Sequence, residues 1–311
     1  MSSATTTPSS QPTPAGMIDA LNGTFGVHAG KRASHAKGFC AAGSFIPAKQ
    51  ATDFVDSPLF RQPELSATLR FSIGGGNPGV SDKSRSVRGM AVRLEGGGQT
   101  YDLVLISEPA FFAATPASFV SFLQARVADP VTKKPDPQKI AAHNAAYPDG
   151  TRQPALLAAH AAPTSYATTP YFSNNAFIFE NSQGARQHAR IVVKPGSGTH
   201  YLSEAEEASF PDQFLEEEIA GRLLHSSIEF TVCAQLPASE DSLVDPSTVW
   251  QGAGEIELGT LRVSRKVTDN GCEQLVFMPG TLPPGIALSD DPILRSRAAA
   301  YAVSLSRRSK R

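Results

Sequence analysis

Three apolar segments come in quick succession, ATLRFSIGG (67 to 75), SVRGMAVRLEG (86 to 96) and TYDLVLIS (100 to 107). Each alternates or runs apolar, and glycine-rich turns separate them, so they predict antiparallel neighbours in one sheet. Later segments continue the pattern. NNAFIFENSQGARQHARIVVKP predicts a hairpin about a glycine-bearing turn, and IEFTVCAQL (228 to 236), GEIELGTLRV (254 to 263) and CEQLVFM (272 to 278) predict further strands. Together they number about eight, enough to close a small barrel.

Helical periodicity interrupts the strands from Pro116 to about His160, in ASFVSFLQARV, PQKIAAHNAA and QPALLAAHAA, which predicts an insertion of helices. QFLEEEIAGRLL (213 to 224) sets Leu215, Ile219 and Leu223 on one helical face, with its acidic run on the solvated side. The last element, DDPILRSRAAAYAVSLSRR, has Asp290 or Asp291 as N-cap, Pro292 in the first turn and an alanine-rich body, so it predicts a terminal helix. The fold class is α+β: an antiparallel barrel with a helical insertion and a C-terminal helix. Residues 17–311 are expected to form one domain, preceded by a disordered leader at 1–16 that lacks the basic and hydrophobic regions of a signal peptide.

With 41% hydrophobic and 18% charged residues, the 311-residue chain has the composition of a globular protein with a sizeable core. Its formal charge of -1 offers no basic field for nucleic acid, and no apolar run is long enough to span a membrane. Cys40, Cys233 and Cys272 are odd in number, far apart and in no CxxC pattern. That spacing indicates neither a disulfide framework nor a zinc site, and a reducing compartment, cytoplasmic or periplasmic protein being the wider expectation, is the default.

Two motifs invite chemistry that their context does not support. Gly74, Gly76 and Gly79 spell GxGxxG after a strand, but Pro78 and a polar run follow where a dinucleotide-binding unit needs a helix. Ser34 and Lys37 spell SxxK, without the SDN and KTG that complete an acyl-transfer site. The histidines show no HExxH or paired spacing for a metal.

RASHAKGF (32 to 39) places His35 between basic residues, and Arg297, Tyr301 and Arg308 share one face of the terminal helix. A guanidinium within hydrogen-bond range of a phenol favours the phenolate, the form that binds ferric iron. Tyrosinate is a known axial ligand of haem iron. Taken with LRFS (69 to 72), RSVRGMAVRL (85 to 94), YDLV (101 to 104), PAFF (109 to 112), FVSF (119 to 122) and NAFIFENSQG (175 to 184), the pattern resembles the catalase superfamily across roughly residues 20 to 308.

That resemblance implies haem b, with His35 as distal acid and base, Ser72 orienting its ring, and Tyr301 as the iron ligand. It implies that Arg32, Arg70 and Arg308 pair with the haem propionates, that Arg297 partners the ligand tyrosine, and that Phe119 stacks near the porphyrin. One imidazole can take a proton from one peroxide oxygen and return it to the other. Buried propionates call for bidentate arginines.

Two departures from the family pattern bear on activity. The chain ends ten residues beyond Tyr301, as in the small catalase-related peroxidases, so a monomer or homodimer is expected rather than an interlocked tetramer. Ser107 aligns with the distal asparagine of catalases, and a hydroxyl offers one rotating donor in place of an amide's two. The resemblance therefore implies a peroxidase for hydrogen peroxide and organic hydroperoxides with a small-molecule reductant and weak catalase activity. The alternatives are a hydroperoxide isomerase or dehydratase resembling allene oxide synthase, and a haem carrier or sensor.

Overall fold

The structure is a computed structural model and describes residues 11–268 and 271–309. Ten strands run in chain order: β1 (Gly38–Pro47), β2 (Leu65–Ile73), β3 (Arg88–Gly96), β4 (Gln99–Ile106), β5 (Tyr171–Phe172), β6 (Phe177–Glu180), β7 (Arg186–Pro195), β8 (Ile228–Leu236), β9 (Gly254–Val267) and β10 (Ile286–Leu288). Each strand from β1 to β4 pairs antiparallel with the next, β4 passes to β5, β5 to β7, β7 to β8, β8 to β9, and β9 returns to β1. The sheet closes as an eight-stranded antiparallel barrel. β6 and β10 extend it as a flap on the first half of β7.

Alternation decides which face each residue occupies. Leu65, Ala67, Leu69, Phe71 and Ile73 of β2, Met90, Val92 and Leu94 of β3, and Tyr101, Leu103 and Leu105 of β4 fill the barrel. Their neighbours in sequence point outward. The register pairs Ser72 with Gly89 and Gly89 with Ile106, so these three share one outer face.

Nine helices lie outside the barrel: α1 (Pro14–Phe25), α2 (Ala51–Phe54), α3 (Pro116–Gln124), α4 (Pro137–Ala146), α5 (Arg152–Ala158), α6 (Glu204–Ser209), α7 (Leu215–Leu223), α8 (Gly271–Gln274) and α9 (Pro292–Ser309) among the described residues. A second apolar cluster joins Met17, Ile18 and Leu21 of α1 to Phe119 and Leu123 of α3 and to Ile293 and Ala300 of α9. This helical layer holds α9 in place. None of these helices is long and apolar enough to cross a membrane.

Several expectations change. α1 starts at Pro14, with the Thr13 hydroxyl capping Gly16 N–H at 3.1 Å, so the expected leader gives way to helix three residues early; residues 1–10 of that expectation lie outside the described residues. CEQLVFM is not a strand but one helical turn followed by irregular chain. Its carbonyls are taken by side chains instead of a ladder: Leu275 O accepts from Arg32 and Val276 O from Arg93, each at 2.9 Å. Cys40 and Cys272 form a disulfide with Cα atoms 6.0 Å apart, against the expectation drawn from spacing. Cysteine spacing reports only near neighbours, and this bond closes a separation of 232 residues.

Candidate active site

His35 sits in the loop between α1 and β1 with φ of 54°, a left-handed conformation that costs a non-glycine residue energy and marks a position under constraint. Ala36 N–H donates to Gly75 O at 3.1 Å, tying this loop to the end of β2. The imidazole Nδ1 lies 3.0 Å from Ser72 Oγ. Gly89 makes the room: a Cβ there would come within 2.6 Å of His35 Nδ1 and 2.5 Å of Ser72 Oγ. Burial, then the charges of Arg70, Arg297 and Arg32, lower the His35 pKa to about 3. The ring is neutral at physiological pH, and when Nδ1–H donates to Ser72, Nε2 is a free base.

Beside it, two guanidinium groups converge on one carboxylate. Arg32 Nη1 donates to Glu273 Oε2 at 2.7 Å and Arg70 Nε to Glu273 Oε1 at 2.8 Å. Arg70, only 3% exposed, also donates from Nη1 to His35 O at 2.9 Å, which links the cluster to the imidazole loop. Arg308 Nη2 approaches Leu275 O at 3.4 Å from α9. Burial and the neighbouring Arg70 lower the Arg32 pKa to about 10. Burial opposes ionisation of Glu273, yet Arg70 and Arg32 outweigh it and hold the carboxyl below its ordinary range. Glu273 carried no motif and was missed in the sequence.

On α9, Arg297 Nη2 donates to Tyr301 Oη at 2.7 Å. Its Nη1 donates to Asn175 Oδ1 at 2.7 Å, and Asn175 Nδ2 donates to Asp291 Oδ2 at 2.6 Å. Asp291 Oδ1 in turn accepts from Ile293 N at 2.8 Å and Leu294 N at 3.1 Å, capping α9. One carboxylate thus starts the helix and anchors the chain that ends on its tyrosine. Asp291 was legible only as a cap, and Asn175 only as the first residue of NAFIFENSQG, with no role of its own.

Two predicted residues stand apart from His35. Phe119 is buried in the helical layer, its ring 5.1 Å from that of Phe112. Ser107 lies just beyond β4 and turns away from the face of Ser72: its hydroxyl accepts from Arg88 N at 3.0 Å and reaches Glu108 Oε1 at 3.4 Å. Ile106 occupies the outward position opposite Gly89. A one-residue step along a strand reverses the face, so Ile106 and not Ser107 shares the face of Ser72 and Gly89.

The chain matches the family described as Catalase over residues 27–309. It is 33% identical over 302 residues to a catalase-related peroxidase of Synechococcus elongatus, covering 96% of this chain and 89% of that one. A catalase-related peroxidase of Mycolicibacterium paratuberculosis is also 33% identical, covering 95% of each. Among solved structures, a fungal catalase superposes with a TM-score of 0.80 at 22% identity, over 89% of this chain and 59% of that one. Catalase A from Saccharomyces cerevisiae gives the same score and identity over 61% of its length.

Proposed function

Since this chain belongs to the catalase family, we propose that it is a haem peroxidase that reduces hydrogen peroxide and organic hydroperoxides at the expense of a small-molecule donor, with weak catalase activity. The observation that carries this reading is a pair of built groups: a neutral, oriented imidazole at His35 and a phenol at Tyr301 held by Arg297.

The residues fit haem b. Tyr301 Oη would supply an oxygen ligand for ferric iron, with Arg297 donating to the same atom. Arg32, Arg70 and Arg308 surround one carboxylate, Glu273, so three positive charges less one negative leave a charge of +2. Two propionates complete that balance, and the geometry at Glu273 illustrates how these guanidinium groups take a carboxylate. When bound, haem supplies the metal centre that binds the peroxide and accepts its oxidising equivalents.

The chain's own part is proton transfer and exclusion. His35 Nε2 would take the proton from one peroxide oxygen and return it to the departing oxygen, which leaves as water or an alcohol. Ser72 keeps the ring turned for both transfers, and the neutral imidazole leaves Nε2 unprotonated to receive the first proton. Ile106 offers an apolar side chain on this face in place of a hydrogen-bond donor. A second peroxide, needed as reductant in disproportionation, is left without a fixed polar contact there, whereas an external donor has no such requirement.

The visible spectrum and turnover of the purified protein test this together. A Soret band on reconstitution with haem, and oxidation of a dye by hydroperoxide, are expected. A folded protein that stays colourless with added haem ends the reading. Haem uptake with product rearrangement and no donor consumption assigns an isomerase instead, and uptake with no turnover assigns a carrier.

A further inference from the structure

We propose that Cys40 and Cys272 are a peroxide-responsive redox pair that sets how firmly the chain holds the anionic edge of its cofactor, an inference that rests on the haem reading above. Cys40 lies on β1 directly opposite Arg70 of β2, and Cys272 immediately precedes Glu273. The disulfide therefore ties α8, which carries Glu273, to β1, the strand paired with the β2 that carries Arg70. Its Cα separation of 6.0 Å falls in the ordinary range for such bonds. The two sulfurs and a Glu273 carboxylate oxygen all lie within 4.8 Å of one another.

Glu273 is held by the disulfide beside it and, further along the chain, by Arg32 and Arg93, which donate to Leu275 O and Val276 O. Its side chain is 33% exposed, α8 is a single turn, and the chain that follows is irregular. Both Arg32 and Arg70 nevertheless depend on this carboxylate for a common anchor. With the disulfide closed, the anchor is covalently fixed and the arginines present their remaining donors in one arrangement. With it open, α8 loses its covalent tie to β1, the carboxylate is held less firmly, and the two guanidinium groups repel across the space a propionate must enter. Reduction weakens cofactor retention and oxidation strengthens it.

The oxidant is the substrate class itself. A cysteine thiolate attacks one peroxide oxygen, the O–O bond breaks, and the departing oxygen takes a proton and leaves as water or alcohol. The second thiolate displaces the hydroxyl of the resulting sulfenic acid as water, so two thiols and one hydroperoxide give one disulfide, one alcohol or water, and one further water.

The test uses the full chain loaded with haem b, with and without a phosphine reductant, and follows haem transfer to an apoglobin acceptor by the Soret band. Thiol alkylation after denaturation defines each state: Cys233 alone reacts when the bond is closed, and all three cysteines react when it is open. Reduced wild type is expected to lose haem about tenfold faster than oxidised wild type, a ratio that corresponds to about 1.4 kcal/mol. Cys272→Ser should lose it fast with or without reductant. Glu273→Gln should lose it fast even with the bond closed, which separates the carboxylate from a general loosening of the fold. Hydrogen peroxide added to the reduced protein should restore the single reactive thiol. Equal transfer rates from the two wild-type states, or three reactive thiols after peroxide, overturn the coupling. Failure of both states to take up haem overturns the haem reading and the coupling with it, and is distinguishable because the thiol count still responds to peroxide.

Discussion

Arg297 and Tyr301, one turn apart on α9, are joined by a 2.7 Å hydrogen bond from guanidinium to phenol oxygen, and the same guanidinium is held from behind by Asn175. Tyr301→Phe removes the oxygen and should leave a folded protein that retains little haem, measured as Soret absorbance per chain. Wild-type haem content and spectrum in this variant would mean that the iron ligand lies elsewhere.

Asn175 acts through Arg297, so its loss should be read in the spectrum and not only in the rate. Asn175→Leu frees Arg297 Nη1 and strands Asp291 Oδ2 without its amide donor. Leaving a buried charged partner unpaired costs roughly 1 to 3 kcal/mol, so a lower thermal midpoint is expected along with a displaced Soret band. Asn175→Gln, which keeps an amide, should recover part of both. A spectrum identical to wild type in the leucine variant excludes this role.

In the proposed reaction His35 acts on the peroxide, and its ring hydrogen-bonds Ser72, not Tyr301 or the arginine anchor. His35→Ala should therefore keep haem while slowing reaction with peroxide by roughly the 10²- to 10⁴-fold typical of losing a general acid-base catalyst. Stopped-flow traces unchanged from wild type remove His35 from the mechanism.

The low pKa of His35 also carries a sign. Its folded value of about 3 lies below the ordinary 6.5, so between these values the unfolded chain binds a proton that the folded chain does not. Stability from this group is complete above the ordinary value and is lost as pH falls toward the folded one. The difference in thermal midpoint between wild type and His35→Gln should shift against wild type from about pH 7 to about pH 4. A flat difference, or one of opposite sign, contradicts a neutral imidazole at this position.

Ile106 and Ser107 make opposite predictions for the two activities. Ile106→Asn places an amide on the outer face beside Gly89 and should raise oxygen evolution from hydrogen peroxide relative to dye oxidation. The gain is about tenfold if one hydrogen bond worth roughly 1.4 kcal/mol forms only in the transition state. Ser107→Ala, on the far side of the strand, should leave the ratio unchanged. Both activities on one preparation decide this, and a ratio that responds to Ser107 and not to Ile106 reverses the assignment.

His35, Tyr301 and the strand pattern of β2 to β4 could be read from the chain because each is local: a motif within eight residues, an i, i+4 pair on a capped helix, an alternation with period two. Local order is what backbone geometry imposes on neighbours, so it survives in the letters. Barrel closure between β9 and β1, the carboxylate of Glu273 between Arg32 and Arg70, the amide of Asn175 behind Arg297, and the bond from Cys40 to Cys272 join segments far apart in sequence. No spacing rule reaches across such separations, because packing of the whole barrel sets those distances. Ile106 and Ser107 show the same division within one strand. The alternation was legible, but which of the two faces His35 was decided only by the pairing of Gly89 with Ile106.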